Sequence, residues 1–141
     1  MAKKKSASDK WLAGDTTYQQ QQAGYQKSRS DYDAQYKRQT GITKRDYAEM
    51  LRSMNRQGVQ DRSDQQNDFA GRGILRSGVF AKALGDYNTD FNAKIKNLQT
   101  GQTDKLGDLD MQRTNFLRQL KLEQDAARQD ALRRRAARLG I

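Results

Sequence analysis

From Val79 onward the apolar side chains recur at helical spacing. Phe80, Leu84, Tyr87, Phe91, Ile95 and Leu98 are separated by 4, 3, 4, 4 and 3 residues, and Leu106, Leu109, Phe116 and Leu120 continue a similar face. Steps of three and four line one side of an α-helix. Phe69, Phe80 and Phe91 also lie eleven apart, the spacing of three helical turns. Run unbroken to Leu139, such a helix would be about 90 Å long at about 1.5 Å per residue. Gly101 and Gly107 each weaken a helix interior by about 1 kcal/mol. The pattern therefore predicts a break at 101–107, with helices near 79–100 and 104–139.

Upstream, residues 43–57 read "TKRDYAEMLRSMNRQ". Thr43 with Asp46 resembles a capping box in which Asp replaces the usual Glu. Tyr47, Met50, Leu51 and Met54 follow the i, i+3, i+4, i+7 rule of one buried face, and Gly58 is a plausible stop. The methionines fit core filling. Residues 60–68 are almost wholly polar and predict no definite element.

Residues 1–41 are rich in Gln, Ser, Asp, Gly and Tyr, and Trp11, Tyr18, Tyr25 and Tyr32 fall seven apart. A coiled-coil seam would need a second apolar set three or four residues further on. Those positions hold Gly14, Gln21, Ser28 and Gln35, or Asp15, Gln22, Arg29 and Tyr36. The stripe is one aromatic wide. It reads either as a disordered arm with scattered aromatics or as an arm that lays them on a partner, a task tyrosine suits. The chain thus divides into a low-complexity arm (1–41), a short helical segment (42–70), a glycine-rich elbow (71–78) and a long helical region (79–141). The predicted class is all-α and extended.

Composition sharpens this. Leu, Ile, Val and Phe number 22 of 141 residues, and the formal net charge is +10. Low aliphatic content with high charge disfavours a conventional self-contained core. Proline is absent, which permits long uninterrupted helices. Val and Ile together number six, and no segment alternates convincingly as a strand. Without cysteine or histidine the chain has no disulfide, no thiolate ligand and no imidazole base. No apolar run reaches the roughly 20 residues that span a bilayer, and "MAKKK" is followed by no apolar h-region. These features predict an intracellular, non-membrane product.

The stretch "AGRGILRSGVF" (70–80) invites a phosphate-loop reading and fails it. Gly73 and Gly78 have Walker A spacing, but Val79 and Phe80 stand where Lys and Ser or Thr are needed. A dinucleotide fingerprint would need glycine at 76, which is Arg76. An elbow fits better: Gly71, Gly73 and Gly78 permit a tight turn, Ser77 can cap the next helix, and Arg72 and Arg76 are left to meet an anion or a carboxylate. The acid pairs Asp86/Asp90 and Asp104/Asp108 share helix faces but sit in no apolar pocket, and they read as solvated surface. No catalytic residue, metal site or cofactor is predicted, and the chain reads as a non-enzyme.

Charge is uneven. Residues 1–10 carry net +3, residues 86–110 net −2 and residues 118–141 net +4. Lys3, Lys4, Lys5, Arg133, Arg134, Arg135 and Arg138 are therefore candidate contacts to nucleic-acid phosphates. The C-terminal cluster has no neighbouring aromatics, so base readout is not expected.

The segment "DFAGRGILRSGVFAKALGDYNTDF" resembles one met in virion structural proteins of tailed bacteriophages, especially those of actinobacteria. Arg72, Gly73, Ile74, Ser77 and Gly78 carry its R-G-L/I-x-x-S-G part. Asp86, Tyr87, Asp90 and Phe91 carry the D-Y/F-x-x-D-F/L rhythm that follows. The resemblance implies a non-enzymatic, multi-copy virion component in the neck, tail or capsid interior, present in host cytoplasm during assembly. Its partners would be other virion proteins. On this reading Trp11, Tyr18, Tyr25, Tyr32, Phe80, Tyr87 and Phe91 are the expected partner contacts. Two rival readings remain, an internal virion protein that binds DNA nonspecifically and an assembly scaffold.

Overall fold

The computed structural model describes residues 6–73 and 78–140. Three helices account for nearly all of them: α1 (Ala7–Gly14), α2 (Thr16–Gly71) and α3 (Gly78–Leu139). The all-α expectation holds, with two long helices joined by a short glycine-containing linker.

Local chemistry explains the ends. Ser6 caps α1 through a reciprocal box: its hydroxyl accepts the Asp9 N–H at 3.1 Å, and the Asp9 carboxylate accepts the Ser6 N–H at 3.2 Å. Asp15 then interrupts the helix with extended backbone (φ −83°, ψ 105°), its N–H donating to the Leu12 carbonyl at 3.2 Å. The same residue starts α2, because its carboxylate accepts the Tyr18 N–H at 3.0 Å. At the other end, α2 stops at Gly71. The Gly73 N–H donates to the Ala70 carbonyl at 3.0 Å, and Gly73 takes φ +71°, the left-handed conformation that glycine adopts without strain. Ser77, with Ile74 and Arg76, lies outside the described residues.

Several expected boundaries are absent. The arm is helical from Ala7 onward. Thr43 caps nothing and is buried in mid-helix, and Gly58 does not stop α2. The polar stretch 60–68 is helical too, supported by same-face bonds such as Gln57 to Asp61 (2.7 Å) and Gln60 to Asp64 (2.9 Å). No break occurs at 101–107, for α3 runs through both glycines. Helix propagation is cooperative, so an isolated cost of about 1 kcal/mol is absorbed by a long helix on either side.

The chain forms two compact units, Met1–Arg38 with Leu109–Ile141, and Gln39–Asp108. In the first, the terminal unit, α2 and α3 segments pack antiparallel, since Asp15 meets Arg134 and Asp33 meets Arg113. Its buried apolar residues are Leu12, Leu120, Ala127 and Ala131. In the second, the central unit, the pairing is again antiparallel, with Phe69 against Phe80 and Gly58 against Phe91. Phe91, Gly58 and Thr43 are its buried positions.

The inward stripe of α3 runs through Phe80, Phe91, Gln102 and Arg113 in eleven-residue steps. One seven-residue step then leads to Leu120 and a last step of eleven to Ala131. On a straight helix, sevens drift by about 20° one way and elevens drift the other. Mixing them keeps the two drifts from accumulating along the stripe.

Candidate functional site

Of the aromatics expected to meet a partner, Phe91 is buried and the others are half-buried. Tyr32 stacks on Phe116 with centroids 4.1 Å apart and planes within 8°. Trp11 is half-buried beneath the Arg135 guanidinium, which lies 5.3 Å from its ring. Tyr18 and Tyr25 are half-buried on α2. Phe80 tilts against Phe69 at 5.2 Å. Phe91 is the most enclosed of the set: a Cβ on Gly58 would stand 2.8 Å from its ring. The missing side chain of Gly58 is the space that the Phe91 ring fills.

Around that notch sits a polar ring. The Tyr87 hydroxyl donates to Asp61 at 2.9 Å, and Gln57 donates to the same carboxylate at 2.7 Å. Arg62 lies over Phe91 (5.1 Å) and Tyr87 (5.8 Å) while its Nε donates to Asn88 at 2.9 Å. The bonds from Gln57 and then Tyr87 hold the Asp61 carboxyl below its usual range. Desolvation, followed by the hydrogen bond to Asp61, pushes the Tyr87 hydroxyl up. Met54, Gln57, Asp61, Tyr87, Asp90, Phe91 and Lys94 line a shallow cavity of about 220 Å³ here.

The terminal unit is laced by charge. Arg128 reaches Asp9 at 3.1 Å, Arg113 reaches Asp33 at 3.2 Å and Arg134 approaches Asp15 at 3.6 Å. The Tyr36 hydroxyl donates to Asp110, and Arg113 lies 5.1 Å over the Tyr36 ring. Ser6 hydrogen bonds, with Arg128 behind them, hold the Asp9 carboxyl below its usual range.

These contacts revise the phosphate-contact set. Arg134 and Arg135 are engaged within the unit, and Arg133 lies 3.7 Å from Asp130 on its own helix. Arg138 is exposed and, with Lys10, borders a groove of about 430 Å³. Lys3, Lys4 and Lys5 lie outside the described residues. Of the elbow set, Gly71 ends α2, Arg72 pairs with Asp68 at 3.3 Å, Gly73 makes the turn and Gly78 opens α3.

Asp86, Asp90, Asp104 and Asp108 are all exposed. Among the described residues no group of three acid, Cys or His side chains could hold a metal, and no helix is long and apolar enough to cross a membrane. The Asp–Arg ladder and the Gly58 notch were missed from sequence. The notch had a signal: Tyr36, Tyr47, Gly58 and Phe69 are eleven apart, so glycine stands at an aromatic position. Compared with known protein families, curated proteins and solved structures, the chain matches none.

Proposed function

We propose that this chain is a non-enzymatic structural component of a tailed-phage virion, present in several copies and held by neighbouring virion proteins. The neck, the tail and the capsid interior are the compartments the reading allows, with host cytoplasm as the site of assembly. The observation that carries it is how little the chain buries for its length. Among the described residues only Leu12, Phe91, Leu120, Ala127 and Ala131 form the apolar core, and no large side chain is fully enclosed. Paired helices so thinly filled gain little from burial, at about 25 cal/mol per Å² of apolar surface. Neighbours would supply the remainder. The resemblance around Arg72–Phe91 supplies the virion context.

Tyr32, Phe80, Tyr87 and Phe91 make contacts within the chain, so exposed apolar residues are added to the expected contact surface. Met50 and Val59 in the central unit, and Met111 and Leu122 in the terminal unit, are more than half exposed. They join the half-buried aromatics as expected anchors.

A mass-spectrometric inventory of purified virions tests the assignment, with the chain expected at several copies per particle. Absence from both virions and assembly intermediates would defeat it, and presence in intermediates alone would mark a scaffold. Sedimentation with circular dichroism of the isolated chain adds a second check. A broad, concentration-dependent melt is expected, and a sharply cooperative monomer would oppose the proposal.

A further inference from the structure

We propose that one flank of the terminal unit binds the phosphate backbone of duplex DNA without reading sequence. The starting point is how charge is shared out. The terminal unit has sixteen Lys and Arg against eight Asp and Glu, net +8; the central unit has eleven against nine, net +2. The two units are nearly equal in length, so the excess is local.

The terminal unit's carboxylates are partly consumed. Asp9, Asp15 and Asp33 are bound to Arg128, Arg134 and Arg113. Arg29, Lys37 and Lys121 are exposed and have no carboxylate within ion-pair distance among the described residues.

These three cations share a flank. Arg29 and Lys37 border one groove together with Asp33, and Arg113 of α3 pairs with that Asp33 at 3.2 Å. On α3, Lys121, Arg128 and Arg135 are seven apart and form one line beside the inward stripe that contains Arg113, at about 100° per residue. Glu123 and Asp130 fall on the other side of that stripe, whereas Asp110, which accepts the Tyr36 hydroxyl, and Asp125 fall on the side of Lys121. Tyr32 stacks on Phe116, which fixes the level of the two helices and brings Arg29 and Lys121 to similar heights. From Lys37 to Lys121 the strip is about 15 Å long at about 1.5 Å per residue. A duplex presents on the order of nine phosphate charges over that length, at one per about 1.7 Å.

The chemistry favours a polyphosphate over an acidic protein. A protein partner would need an apolar anchor at the centre of its contact. Met111 and Leu122, the exposed large apolar residues nearest this strip in sequence, lie on the side of α3 turned away from the inward stripe. Phosphate binding by counterion release needs no anchor. Tyr32 and Tyr36 are engaged within the unit, so neither offers the strip a ring on which an unpaired base would stack.

The experiment uses the full chain and a random-sequence duplex of 30 base pairs, titrated by fluorescence anisotropy across a salt series. The variant Arg29→Ala/Lys37→Ala/Lys121→Ala is compared with a control of equal charge, Arg52→Ala/Arg56→Ala/Lys105→Ala in the central unit. Circular dichroism confirms equal helicity in all three proteins. Wild type should lose affinity steeply with salt. The flank variant should bind about tenfold or more weakly and lower the log–log salt slope by about three, roughly one per lost phosphate contact. The control should change affinity less than about threefold, which is well below the flank effect. Equal losses in both variants would reduce the effect to net charge and overturn the proposal. Tighter binding to poly-glutamate than to the duplex would overturn it in favour of an acidic protein. This outcome is independent of the virion assignment, which the particle inventory tests separately.

Discussion

The same two long helices cohere in two different ways. In the central unit the decisive contact is one of volume: an aromatic ring occupies the space over Gly58, with Phe69 against Phe80 near the elbow. In the terminal unit two leucines, Leu12 and Leu120, are buried with the small Ala127 and Ala131, and Asp–Arg pairs lace the rim. A contact of shape is insensitive to ionic strength and intolerant of added atoms. A contact of charge is the reverse. A chain poor in aliphatic residues thus holds itself by two unrelated means.

The largest break in this comparison is expected at the notch. Phe91→Ala should cost about 3 kcal/mol or more by transfer and cavity terms, read as a lower melting temperature with lost helicity. Gly58→Val should cost about 1–3 kcal/mol by overpacking even though valine is the better helix former, and adding Phe91→Leu should restore part of the loss. A neutral Gly58→Val would remove the notch from the account.

Next comes a glycine with nothing above it. At Gly107 the position a methyl group would take has no atom within 4 Å, so Gly107→Ala should stabilise by about 1 kcal/mol through propensity alone. Gly101→Ala should gain less, because its methyl would stand 3.3 Å from the Tyr47 hydroxyl. Thermal melts of the two variants check the ranking.

Smaller still is the rim of the terminal unit. Asp33 and Arg113 are partly exposed, and a double-mutant cycle of Asp33→Asn with Arg113→Gln should give a coupling of about 0.2–1 kcal/mol that shrinks in high salt. The same salt should leave the Gly58–Phe91 contact unchanged.

The finest distinction is in pH. Asp9 and Asp61 have depressed folded values, so their contributions are present above the ordinary carboxylate range and are lost as pH falls through those values. Tyr87 has a raised folded value. Its contribution is full below its ordinary value, near about 10, and is lost as pH rises beyond that. The central unit should therefore loosen at both extremes, and Tyr87→Phe should abolish its alkaline limit in a circular dichroism titration.

Much of this architecture was legible in the residues. The steps from Phe80 to Leu98 gave the face of α3, and Gly71–Gly73 marked the end of α2. Capping was misplaced for an instructive reason. Ser6–Asp9 and Thr43–Asp46 carry the same signal, but only the first stands where a helix begins. The break expected between Gly101 and Gly107 treated each glycine as a local event, whereas helix continuity is decided over many residues. The notch was only half legible: the eleven-residue row marks Gly58 as an exception, but its partner depends on register and is known only once Phe91 is opposite it. The partners of Arg134 and Arg135 were likewise hidden, because both look free until Asp15 and Trp11 arrive beside them.

The mixed seven- and eleven-residue rhythm of α3 sets the units in which this protein can grow or shrink. Three or four residues inserted into one long helix would rotate everything downstream off its stripe and unseat the opposite row. Whole repeats added to both helices at matching levels would leave every pairing intact. Descendants of this chain should differ in length by such paired steps, much as a ladder is extended only by whole rungs.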